Sequence, residues 1–482
     1  MPTPRRQMHL NAFLMGVGHH EAAWRLPWSR PHDVVDVGHY QHLGRIAERG
    51  RLDSVFFADR LAIGDAPAHN VQNTLDPVLL LTAIATVTER VGLISTASTG
   101  FTEPYTLARQ FATLDHISAG RAGWNVVTSG TDVEARNFGR DRVAEHDERY
   151  VRAAEFLDVV TGLWDSWDDD AFVADKSSGT FADTERLHSL EHRGRFFGVR
   201  GPLSVPRSPQ GHPLLVQAGS SPTGREFAAR HAEAVFTAHQ RIDDARDFYR
   251  DLKGRVAAHG RDPAHTVVLP GVVPVIGGTE AEARSLERHL DELLVTDYGV
   301  AQVSTMLGVD LSEHPLDRPL PPLPPVQRFN GNKSRYELVA RMAERDNLTL
   351  RAILTRLAGG RGHRVVTGTP EQVADTLEVW FAEHAADGFN IMPPHLPAGL
   401  EDFVEHVVPE LRRRGLFRTE YTATTLRGHY GLPRPTGRGA EVGGTGLTSD
   451  EHGGSVDPTV GELGEHLPRV AQGAWVDGRA DV

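Results

Sequence analysis

Residues 119–130 read AGRAGWNVVTSG. The centre of the stretch, Gly-Trp-Asn-Val-Val-Thr-Ser, consists largely of strand formers bounded by turn signals. Asn125 interrupts the apolar run with an amide, and the run gives way to Thr128, Ser129 and Gly130. A strand end fraying into a turn would read this way. So would a barrel strand that turns donors and acceptors toward a ligand at its C-terminal end. The surrounding sequence has to separate the two.

Upstream, short apolar runs alternate with amphipathic segments. Strands are predicted over 8–15 (MHLNAFLM), 53–59 and 91–96, and the stretch above is the fourth. Between them, 40–49 has helical spacing with Leu43, Ile46 and Ala47 on one face. Pro77 and Pro104 open two further helices at the first-turn position that proline tolerates. Strands joined by helices through short connections make β-α-β units and a parallel sheet. Such a sheet is covered on both faces, which is why its strands read as apolar runs. Polar residues recur near the C-terminal ends: His19 and His20, Asp59, Ser95 and Thr96, Asn125 and Thr128. Ligands collect at that end of open α/β sheets and closed barrels alike.

Downstream, a long helix over 146–164 precedes an irregular excursion through 165–212. Strand patterns at 213–219, 234–237, 267–276 and 389–392 bring the count to eight. The proline-rich run 314–325 reads as an insertion or lid, mobile without ligand. Beyond about 435 the periodicity disappears into Gly, Asp and Glu, and a disordered tail is expected over 436–482.

The 482 residues carry a net charge of −13, which argues against nucleic-acid binding. With no cysteine in the chain, thiolate catalysis, disulfides and iron–sulfur clusters are excluded. The N-terminal segment has basic residues and a short apolar run, but His9 and Asn11 interrupt it and no small-residue cleavage site follows. No window approaches the length of a membrane span, so a cytoplasmic protein is expected.

Among local motifs, QAGSSPTGREF (217–227) is the strongest. A strand ends in Gly219, Ser221 can cap a helix, Pro222 takes its first position and Arg225 lies one turn in. Free N–H groups and hydroxyls at a helix start suit a phosphate, although Ser-Ser-Pro is equally a good cap. His146 and Tyr150, four apart, share a helix face. HSLEH (188–192) matches the H-x-x-E-H pattern of a zinc hydrolase with His188, Glu191 and His192, yet Gly194 follows at once and no third ligand is evident. No G-x-G-x-x-G opens a helix, so a nicotinamide dinucleotide is not indicated.

Taken together, GHHEAAWR (18–25), FFADR (56–60), 95–130, EARNFG (134–139), EHDERYVRAAEFL (145–157), 200–236 and RTEYTATTLRGHYGL (418–432) resemble the bacterial-luciferase-like flavin monooxygenases. More narrowly, they resemble the group holding nitrilotriacetate monooxygenase, dibenzothiophene-sulfone monooxygenase and pristinamycin synthase. The resemblance implies a (β/α)8 TIM barrel of the luciferase-like type as a single domain over 1–435, with insertions at about 165–212 and 308–365. It implies a two-component monooxygenase: reduced FMN arrives from a separate NAD(P)H-dependent flavin reductase, and a small organic substrate is oxygenated through a flavin hydroperoxide. By similarity Asp59 lies beside the isoalloxazine and Thr96 and Asn125 contact it. His146 and Tyr150 reach the ribityl-phosphate, and Ser220 and Ser221 hold the phosphate. His20 is the candidate for steadying oxygen intermediates or moving a proton. Relatives often carry a His at the end of the second strand, where this chain has Asp59-Arg60. Gly130, where relatives have a bulky residue, is expected to open the substrate side. No protein-bound metal is expected, and a homo-oligomer, dimer or tetramer, is. The alternatives are the zinc hydrolase and a non-catalytic flavin-binding protein.

Overall fold

The computed structural model describes residues 6–64, 67–69, 71, 75–329, 331 and 333–437. Nine parallel strands carry the fold: β1 (His9–Leu14), β2 (Ser54–Phe57), β3 (Gly92–Ser98), β4 (Ala122–Val127), β5 (Leu214–Gln217), β6 (Ala234–Thr237), β7 (Val267–Ile276), β8 (Arg364–Gly368) and β9 (Gly388–Ile391). Eight of them close a barrel in the order β1-β2-β3-β4-β5-β6-β7-β9 and back to β1. The eight expected strands are these eight, and β8 has no counterpart among them. It exists because β7 is ten residues long and serves several partners in succession. Val267–Pro270 pair with β6, Gly271 and Val272 with β9, and Val272–Ile276 with β8.

The helices outside the barrel that bear on the site are α1 (Val37–Arg49), α2 (Pro77–Ala85), α3 (Pro104–Ile117), α4 (His146–Trp164), α5 (Pro222–His231) and α6 (Ile242–Ala258). Four more, α7 (Glu280–Glu292), α8 (Thr296–Leu307), α9 (Lys333–Arg345) and α10 (Leu350–Gly360), lie between β7 and β8, and the last three share an apolar core of their own. The proline-rich run belongs to this helical layer: Pro319 bridges to Thr349, and Tyr336 donates its hydroxyl hydrogen bond to Pro324 O. The 165–212 excursion holds two small antiparallel pairs, Phe172–Asp175 with Thr180–Ala182 and His192–Arg193 with Gly198–Val199. The expected tail lies outside the described residues from 438 onward. No helix among the described residues is long and apolar enough to cross a membrane.

Alternation along β4 assigns its side chains to two sides. Trp124 points outward and is fully buried beside Phe111, Phe156 and Trp164, its indole N–H donating to Ala97 O at 3.0 Å. Gly123 and Asn125 point inward. At the bottom, Leu426 from the C-terminal segment sits where a side chain on Gly92 or Gly123 would be, so only glycine lets the plug seat. Tyr430 completes the floor, donating to Asn11 Oδ1 at 2.8 Å.

Arg121, one residue before β4, is 2% exposed and makes five donor contacts. It reaches Ser118 O (2.7 Å), Thr88 Oγ1 and Val91 O (both 2.9 Å), Ala85 O (3.2 Å) and Thr88 O (2.9 Å). Ala85 and Thr88 lie at and just past the C-terminal end of α2, where carbonyls lack helical partners. A cation there satisfies them and meets the negative end of the helix dipole.

Candidate active site

At the C-terminal end of the barrel the interior is half aromatic and half polar. Phe13 of β1 stacks on Phe56 of β2 at 4.6 Å and meets Phe236 of β6 edge-on at 5.1 Å. The register places Thr96 of β3 beside Asn125 of β4, both 4% exposed. Asn125 Nδ2 donates to Thr96 Oγ1 at 2.9 Å. Asn125 Oδ1 is buried without a partner among the described residues. An amide acceptor left so is costly unless a ligand donates to it.

A second cluster forms where β5 hands over to α5. Ser221 caps α5, its Oγ accepting from Gly224 N at 3.1 Å, and Pro222 takes the first helical position. His146 and Tyr150, from the first turn and a half of α4, come to the same place. His146 Nε2 lies 3.5 Å from Ser221 Oγ, and the Tyr150 hydroxyl is in hydrogen-bond contact with Ser221 and Gln217. Burial holds the Tyr150 phenol above its ordinary range. Cβ atoms on Gly219 and Gly224 would stand 2.8 and 3.0 Å from the Tyr150 oxygen, so the two glycines let the Tyr150 hydroxyl close against the β5–α5 turn. Ser220 is half-buried at its edge. Arg225 does not point into it. Its Nε donates to Ser220 O at 2.9 Å and its Nη1 to Asp251 at 3.1 Å.

Asp59 follows β2 by two residues and accepts from Arg60 N at 2.8 Å. Burial, with the nearby charges of Asp76 and Glu134, pushes its carboxyl up to about 6.

The two adjacent histidines part company. His20 has both ring nitrogens engaged: Nδ1 accepts from Ala22 N at 3.2 Å and Nε2 faces Asp291 of α7 at 3.3 Å. His19 is fully buried, its Nε2 contacts Phe13 O at 2.8 Å and its ring lies 4.8 Å from the Phe13 ring. Gln217, whose Oε1 is also buried and unpartnered among the described residues, was not singled out by sequence reasoning, whereas His19 was grouped with His20 at the end of the first strand. A glutamine at a strand end carries no distinguishing pattern.

Gly130 does not open the mouth. A side chain there would stand 2.8 Å from Arg149 Nη1, because that guanidinium fills the space and donates to Ser129 O. HSLEH is not helical. His188 pairs with Asp168 at 3.0 Å and His192 with Glu155 at 3.2 Å, so the two imidazoles serve different carboxylates. No group of three or more metal-binding side chains occurs among the described residues.

The family model "Luciferase-like monooxygenase" matches residues 21–388. The chain is 47% identical to the N-acetyl-S-(2-succino)cysteine monooxygenase of Bacillus subtilis (strain 168), over 92% of this chain and 100% of the relative. It is 48% identical to nitrilotriacetate monooxygenase component A of Aminobacter aminovorans, over 89% and 97%. The crystal structure of DmoA from Hyphomicrobium sulfonivorans superposes with a TM-score of 0.80 at 31% identity, covering 90% of this chain and 95% of that one.

Proposed function

The chain belongs to the luciferase-like monooxygenase family and is a flavin-dependent oxidoreductase, and we propose that it is the oxygenase component of a two-component system. In this reading a separate NAD(P)H-dependent flavin reductase supplies reduced FMN, and one atom of O2 is placed on a small organic substrate. Bound reduced FMN would supply the two electrons that reduce the second oxygen atom to water.

The observation that carries the reading is the pairing of two sites at one barrel end. The buried amide oxygen of Asn125 has no partner among the described residues, and Ser221, His146 and Tyr150 converge at the start of α5. A planar ring with N–H groups suits the first and a phosphate monoester suits the second. Thr96, Asn125 and Asp59 would border the isoalloxazine. Ser220, Ser221, His146 and Tyr150 would hold the phosphate, since Arg225 is committed to Asp251. His20 would act through Asp291 of α7. The protein's further part is to exclude water above the Phe13–Phe56–Phe236 floor. A cytoplasmic homo-oligomer, dimer or tetramer, working beside its reductase completes the proposal.

The test supplies a generic flavin reductase, NADH, FMN and a panel of small molecules led by N-acetyl-S-(2-succino)cysteine and nitrilotriacetate. Oxygen uptake coupled to an oxygenated product is expected for at least one member. FMN binding with hydrogen peroxide as the sole fate of oxygen across the panel would favour a non-catalytic flavin-binding protein instead.

A further inference from the structure

The loop after β1 is sewn to the segment after β9: His19 N donates to Pro393 O at 2.9 Å and His20 N to Pro394 O at 3.0 Å. Gly18 makes this possible at φ +136, with the backbone of Pro394 and His395 where a Cβ would be. The clamp sends the two imidazoles in opposite directions. His20 goes out to Asp291 and the helical layer, and His19 goes in over Phe13.

A carbonyl oxygen can only accept, so the contact with Phe13 O puts the His19 proton on Nε2 and leaves Nδ1 as a bare lone pair. That Nδ1 is buried and has no partner among the described residues. Burial first, and the Arg361 charge second, push the imidazole down to about 3, so the ring stays neutral. A neutral ring with its one proton already committed leaves an acceptor and no donor. On β4, Asn125 Oδ1 is a second buried acceptor without a partner among the described residues.

Reduced and oxidised flavin differ in the hydrogen bonds they can make. The reduced ring carries an N–H at N5, whereas in the oxidised ring N5 is a lone pair. An acceptor facing it gains a bond to the first and meets lone-pair repulsion from the second. We infer that His19, not His20, is the residue that makes this protein prefer reduced over oxidised flavin, by presenting Nδ1 as an acceptor to the ring N–H. The inference rests on the proposal that FMN binds at this mouth.

The experiment measures Kd for FMN in both redox states, the reduced form under anaerobic conditions, for the wild-type chain, His19→Leu, His19→Gln and His20→Leu. The wild type is expected to bind reduced FMN more tightly. His19→Leu should lower the oxidised-to-reduced Kd ratio by about tenfold, as the loss of one hydrogen bond implies. His19→Gln, whose amide can donate to Phe13 O and still accept, should recover part of it. His20→Leu should leave the ratio unchanged. A His19→Leu ratio equal to the wild type's, or an equal loss in His20→Leu, overturns the inference while FMN binding itself stands. A wild type that binds neither form removes the FMN proposal beneath it. Should His19→Leu not fold, the outcome rests on whether His19→Gln keeps a ratio above one and His20→Leu the full ratio; failure of either overturns it.

Discussion

Asn125 Nδ2 donates across the β3–β4 seam to Thr96 Oγ1 at 2.9 Å, and the same amide leaves its oxygen bare inside the barrel. The threonine therefore orients the asparagine. Asn125→Ala is expected to weaken binding of reduced FMN by roughly tenfold, the worth of one hydrogen bond in a largely buried site. Thr96→Val should weaken it less, since it frees the amide to turn without removing it. Anaerobic fluorescence titration reads both, and affinities unchanged in both variants would refute the placement.

Ser221 has two roles that separate experimentally. As the cap of α5 it satisfies Gly224 N, so Ser221→Ala should cost about 1 kcal/mol of stability. As part of the proposed phosphate cradle its loss should also raise the Kd for FMN. Ser221→Asp keeps the cap but brings a carboxylate against a phosphate. Its stability should stay near wild type while FMN affinity falls further than in Ser221→Ala. Equal affinity in the two variants would show that the phosphate lies elsewhere.

The Asp59 carboxyl, raised from 3.8 to about 6 chiefly by burial, gives a pH signature. The folded state holds this proton more tightly than the unfolded chain does. Its contribution to stability is therefore complete below about pH 4 and lost as pH rises through about 6. Above that pH a carboxylate stands near the proposed flavin ring. Reduced FMN, which gains negative charge at neutral pH, should bind more weakly at pH 7.5 than at pH 5.5, beyond any change from its phosphate. Asp59→Asn is expected to flatten that step. A step of the same size in the variant would assign it to another group.

Arg121 holds five acceptors with one buried guanidinium. Arg121→Met leaves those groups without donors and should cost about 3 kcal/mol or more in urea unfolding. Arg121→Lys supplies the charge but not the fork, and should recover only part of it.

His188 and His192 contact separate carboxylates, so the double variant His188→Ala, His192→Ala should retain FMN binding and oxygenation, and a chelator should leave both intact. Activity lost to chelator and restored by zinc would revive the hydrolase alternative.

The barrel was legible because each of its eight strands is an apolar run ending in a turn signal, and Asn125 stood out as the amide inside one. The Ser221–Pro222 cap was legible because it depends on adjacent residues. What escaped were relationships between distant segments. β8 pairs with the outer half of an unusually long β7, and no local pattern announces that one strand will serve several partners. His19 and His20 are the same residue type side by side. Only the clamp to Pro393 and Pro394 decides which ring enters the barrel. Arg121 stands just before a strand, but its acceptors lie 30 or more residues upstream, apart from Ser118. Gly130 read as open space because nothing in the sequence says that Arg149 folds back to fill it.

The floor of the barrel fixes when this chain can be finished. Tyr430 meets Asn11 across 419 residues, and β1 gains its second neighbour only from β9. On the ribosome, β1 can pair with β2 early, but its other edge stays bare through the synthesis of nearly four hundred residues. An open parallel edge is a template for mispairing. Expression of this chain should therefore depend on chaperones that shelter the nascent sheet, and a chain cut before Leu426 should aggregate although every strand of the barrel is present.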